Sequence, residues 1–129
     1  MSDSDIHDCQ ILDTFKLEAG CITRDAETEM WRKLLNPISV NVSTGMVKMG
    51  PAGVPLPWGI LQYGNAEWDF VAARSEPGAT MLSTLRIRMW ERPIQMVMIV
   101  NGFTFATGIC EPVNEHASPD TTELRSQLD

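Results

Sequence analysis

A chain of 129 residues with 43% hydrophobic and 21% charged residues has the size and composition of one globular domain rather than a disordered tail. A net charge of −7 argues against a general nucleic-acid binder, and no apolar run reaches the ~20 residues of a membrane-spanning helix. The charge is unevenly spread: residues 1–30 hold eight acids against Lys16 and Arg24, and residues 111–129 hold five acids against Arg125. The stretch between them, 31–110, holds seven bases and four acids. Acidic ends on a mildly basic body either keep the domain soluble or dock on the basic surface of a neighbour.

The start, Met1-Ser2-Asp3-Ser4-Asp5, is acidic where a secretory signal is basic and then apolar, so export by that route is not expected. Three cysteines, Cys9, Cys21 and Cys110, are an odd number and too few for a disulfide scaffold. Free thiols in a reducing compartment, hence a cytoplasmic location, are the expectation. The sequon Asn41-Val42-Ser43 is then idle.

Residues 1–8 read as a polar arm, 9–112 as a single α+β body and 113–129 as a polar tail or short surface helix. Ile11, Leu12, Phe15, Leu17 and Ile22 have mixed spacing interrupted by Gly20, which fits a strand or an irregular segment. A helix follows over about 25–36. Thr23 or Asp25 can cap it, Asp25, Glu27 and Glu29 crowd its first turn, and Arg32 and Lys33 close it, as the helix dipole prefers. Met30, Trp31, Leu34 and Leu35 form its apolar stripe, and Asn36-Pro37 stops it.

Strands follow. Ser39–Met49 is rich in β-branched residues, and Ile60–Tyr63 suits a short strand. Between them, residues 50–59 hold three prolines and three glycines, which fits a long loop or an edge segment but not a central strand. Glu67–Arg74 and Thr80–Trp90 read as two strands joined at Glu76-Pro77-Gly78-Ala79, a type II turn pattern. Ile94–Val100 and Phe103–Ile109 flank Asn101-Gly102, a preferred two-residue hairpin loop. That loop sets Val100 against Phe103, Met98 against Phe105, Met96 against Thr107 and Ile94 against Ile109, with Phe105 in the core. The fold expected is a helix near the N-terminus packed on a mostly antiparallel meander of five or six strands, with barrel-like closure as an alternative.

No residue pattern carries an enzyme. Ser or Cys nucleophiles need a base beside them, yet the two histidines, His7 and His116, lie in the polar ends. Glycine-rich phosphate loops and the G-x-S-x-G elbow are missing from the sequence. Glu67 and Asp69, the one close carboxylate pair in the β body, share a sheet face read as solvated. Zinc joining His7, Asp8, Cys9, Cys21, Cys110 and His116 matches no finger spacing, so neither metal nor cofactor is expected.

Two surfaces stand out. Arg86, Arg88 and Trp90 fall on one strand face with Thr84, while Leu85, Ile87 and Met89 fall on the other. Trp68 and Arg74 lie on the partner strand, so the five residues could present phosphate contacts and stacking rings to a single strand of nucleic acid. Pairing of that face with Glu67, Glu91 or the acidic arms is the preferred reading. The second surface is the loop Pro55-Leu56-Pro57-Trp58, which could serve as a ligand for a partner domain or pack its own tryptophan inward. The eight methionines offer adaptable apolar surface, filling the core or facing a partner. The expectation is a non-enzymatic assembly or protein-interaction protein that self-associates or binds a protein partner, such as a small structural or accessory protein of a viral or phage particle. The alternative is a nucleic-acid-binding or regulatory module using the Arg86, Arg88 and Trp90 face.

Overall fold

The computed structural model describes residues 5–75, 82–101 and 103–113, though not the Asn101 side chain. Ten antiparallel strands form one sheet: β1 Ile6–Glu18, β2 Cys21–Arg24, β3 Ile38–Asn41, β4 Met46–Met49, β5 Leu56–Pro57, β6 Gly59–Gln62, β7 Phe70–Ser75, β8 Leu82–Arg88, β9 Ile94–Asn101 and β10 Thr104–Pro112. Among the described residues there is one helix, α1, over Thr28–Leu35. The spatial order is β5-β4-β3-β1-β10-β9-β8-β7-β6, with β2 beside β1. β5 and β6 are the two ends of that order, yet only Trp58 separates them in sequence. The sheet therefore curls until its ends meet at Trp58, which is buried and donates its backbone N–H to Gly45 in the β3–β4 turn at 2.8 Å. This makes a nearly closed barrel. Among the described residues the strands number ten rather than five or six, and the helix is a minor element.

β1 takes in residues 6–8 of the expected polar arm and settles the segment after it as strand; residues 1–4 of the arm and 114–129 of the expected tail lie outside the described residues. Its inward residues His7, Cys9, Ile11 and Thr14 are buried, and the spacing changes at a bulge between Ile11 and Asp13. The sequence obscured this strand because the bulge breaks its alternation. Along one side β1 pairs first with β3 and later with β2. Between those stretches the Asn36 side chain accepts from the Ile11 N–H (2.7 Å) and donates to its C=O (3.1 Å). Further along, the Asp25 N–H donates to the Thr14 C=O. The strand's backbone is thus satisfied while the chain leaves it to form α1.

α1 is shorter than expected, and none of its residues is fully buried. Asp25 does organise its start, but from before the cap. One carboxylate oxygen accepts from the Glu27 N–H and the other from Trp31 Nε1. Leu35 packs against the barrel core, whereas Met30 and Leu34 stay exposed. Trp31 and Leu35 line an apolar recess of about 240 Å³ with Met49, Trp58, Met98 and Val100. The helix therefore sits over one mouth of the barrel instead of lying across a sheet.

The core is the barrel interior: Ile11, Ile38, Val40, Val47, Phe70, Leu85, Ile87, Met96 and Met98 with smaller neighbours. The expected β9–β10 register is corrected here. Asn101 pairs with Thr104 and Phe105 pairs with Ile99, so a bulge at that end passes over Val100. Asn101 is thus paired rather than a loop residue; Gly102 lies outside the described residues, as does the expected turn at 76–79. The slip turns β10 over: Ala106, Gly108 and Cys110 point inward, while Phe105 and Ile109 face out. Space decides this. A Cβ at Gly108 would collide with the Gln10 carbonyl on β1, and the two β9 methionines opposite already fill the lumen. Small residues must therefore face them.

Cys9 and Cys110 face each other across β1 and β10 and form a disulfide, correcting the expectation of free thiols; Cys21 is free and exposed. Among the described residues no helix is long and apolar enough to cross a membrane.

Candidate interaction surface

The outer face of β1, β10, β9 and β8 is built in rows set by the register. Arg24 pairs with Phe15, Phe15 with Phe105, Phe105 with Ile99 and Ile99 with Thr84. The next row runs from Asp13 through Thr107 and Val97 to Arg86. Paired residues share a face, so apolar side chains form a strip across the outside of the barrel. The Phe15 and Phe105 rings stack at 6.1 Å, and the Arg24 guanidinium lies 5.8 Å over Phe15 while bridging Asp13 at 3.2 Å. Val97 and Ile99 keep 38% and 37% of their surface in water, more than β9 residues would if this side were core. The strip continues outward to the β1–β2 hairpin. There Leu17 pairs with Ile22, which is 63% exposed, and the Leu17 N–H donates to the Phe103 carbonyl at 3.1 Å.

Beside the strip lie three of the five residues of the expected Arg/Trp face. Asp69, its carboxylate largely shielded, accepts from Arg86 at 3.2 Å and from Trp90 Nε1 at 2.9 Å. Arg88 bridges Glu91 at 3.4 Å and lies 5.1 Å over the Trp90 ring. Leu85 and Ile87 are buried behind them, as the alternation predicts. Two members fall elsewhere. Trp68 is held in a loop where Asn65 Oδ1 accepts the Glu67 and Trp68 N–H groups. Arg74 pairs with Ser83, and its alternation with Phe70 and Ala72 places it on the inner side of β7. Arg86 and Arg88 meet acids close by in the chain fold: Glu91, as expected, and Asp69, which the sequence pattern pairs with Glu67 rather than with the arginines.

In the proline loop the tryptophan packs inward, the second of the two readings of that segment. Leu56 and Pro57 pair with Val47 and Met46 as β5, and Trp58 is buried with no hydrogen-bond partner for its Nε1; Pro55 is exposed. Cys9 is bonded to Cys110, Cys21 sits in the hairpin, and His116 lies outside the described residues. No group of three or more His, Cys, Asp or Glu among the described residues could hold a metal ion.

At the other end of β1, Asp8 pairs directly with Glu111. Burial and the neighbouring Glu111 charge raise the Asp8 pKa. His7 is buried with Nδ1 unpartnered, and burial lowers its pKa against the opposing effect of Asp5. No protein-family model, curated protein or solved structure matches this chain.

Proposed function

We propose that this is a non-enzymatic assembly or protein-interaction protein whose contact surface is the outer apolar strip of β1, β10 and β9. The row of half-buried Phe15 and Phe105 and exposed Ile99, with exposed Val97 beside it, carries the reading. These residues need not be apolar for the barrel to fold, because the core lies on the opposite side, and a contiguous exposed apolar patch marks a contact site. The nucleic-acid alternative is weaker because Arg86 and Arg88 are matched to Asp69 and Glu91. A small structural or accessory protein of a viral or phage particle fits this description. Assembly in the cytoplasm is compatible with the Cys9–Cys110 bond if the pair oxidises after the particle leaves.

A photo-crosslinking residue at Val97, in the full chain in its native cells, tests the reading. Protein adducts are expected there and not from a second probe at exposed Val54. Adducts to nucleic acid, or none, would overturn it.

A further inference from the structure

We propose that β2 pairs with β2 of a second copy about a two-fold axis, extending the sheet across two molecules. This deepens the assembly reading and rests on it. Closure leaves β5 and β6 meeting at Trp58, whereas the far edge of β2 pairs with no strand among the described residues. That edge is chemically primed. The Leu17 N–H is donated to Phe103 on the side away from β2. In an antiparallel ladder this makes Leu17 and Ile22 a non-hydrogen-bonded pair, so the Ile22 N–H and C=O project outward from β2. The tight turn agrees: Ala19 and Gly20 both have positive φ, 52° and 78°, closing on the Glu18–Cys21 pair.

A symmetric antiparallel pairing centred on Ile22 sets each Ile22 N–H on the C=O of the other copy. Both isoleucines then lie on the same outer face, so Leu17, Ile22, Ile22 of the copy and its Leu17 form one apolar row where each Ile22 was 63% exposed. Arg24 is the only charged residue of β2, and this register places it opposite Gly20 of the copy. The two arginines are then offset by ~13 Å along the strands rather than facing each other. A parallel arrangement would bring the like charges together. The edge has four residues, so the contact is small and association should be reversible and rise with concentration.

Sedimentation and light scattering of the full chain over a wide concentration range should show a monomer–dimer equilibrium. Ile22→Pro removes the outward N–H and spares the bonds to β1, since Ile22 makes none. It should leave the melting temperature unchanged and weaken dimerisation roughly a hundredfold. Ile22→Lys, which keeps the backbone donor, should weaken it through the lost apolar row. In a Cys21→Ser background, Ile22→Cys should give a covalent dimer on mild oxidation. A wild type that stays monomeric overturns the proposal, as does a dimer that survives both Ile22→Pro and Ile22→Lys, or an intact dimer in which Ile22→Cys does not cross-link. A monomer that still yields protein adducts at Val97 defeats only this pairing. A dimer without such adducts defeats only the role of the strip.

Discussion

His7 shows how much one residue's setting can decide. It lies on the inward side of β1, buried, with Nδ1 unpartnered and its pKa lowered chiefly by that burial. The unfolded chain therefore takes up a proton near pH 6.5 while the folded chain resists it. Stability from this source is unaffected at neutral and higher pH and declines as pH falls below 6.5. Asp8 acts with opposite sign, because its raised pKa lets the folded chain bind its proton first, so stability gains as pH falls towards 3.8. The two effects oppose each other, and substitution at His7 isolates its share. Urea midpoints at pH 7.5 and 5.5 should fall in the wild type and fall clearly less in His7→Leu. Equal declines would show that His7 is not protected from protonation.

At the scale of elements, the alternation in β8 was legible, and Leu85 and Ile87 are core as the pattern predicts. The antiparallel character and the break at Asn36-Pro37 were legible too. The readings of β1 and β10 share one physical cause. Bulges at Ile11/Asp13 and beside Thr104 change which face a side chain takes, and nothing in a period-two pattern announces a bulge. For that reason the spacing in β1 leaves strand and irregular segment both open, and the pattern in β10 points the wrong residues inward. The hairpin motif was a fair signal of two paired strands but not of their register. For the site, Arg86, Arg88 and Trp90 were legible as a group, while Asp69, which organises two of them, lies on the far side of a sheet contact. Substitution separates the two registers. Phe70→Ala should cost about 3–5 kcal/mol, because Phe70 is fully buried. Phe105→Ala, on the half-buried outer face, should cost about 1–2 kcal/mol, mostly from lost stacking on Phe15 and partial burial. Chemical denaturation reads both. A Phe105 loss equal to that of Phe70 would return Phe105 to the core and refute the observed register.

For the whole molecule, the bond between Cys9 and Cys110 matters because of where it lies in the chain. The two residues are 101 apart in sequence and join the strands that bring the two ends of the body together at the centre of the sheet. Val113 donates its N–H to the Ile6 carbonyl just beyond, so the body begins and ends at one place. A cross-link over a loop this long removes much of the unfolded chain's freedom, worth about 4–5 kcal/mol in the chain-entropy view. The folded state needs no rearrangement to accept the bond, since β1 and β10 already pair there. Two consequences separate. Reduction should lower the free energy of unfolding by several kcal/mol, yet the reduced protein should keep the same barrel, because its interior packing does not depend on the sulfur–sulfur bond. Cys9→Ala with Cys110→Ala should lose a similar amount plus a smaller term for two vacated side chains. Denaturation with and without reductant, alongside far-ultraviolet circular dichroism, checks both. A midpoint indifferent to reductant would mean that the bond does not form in solution. Loss of the β signal on reduction would mean instead that the packed barrel cannot hold its own ends together.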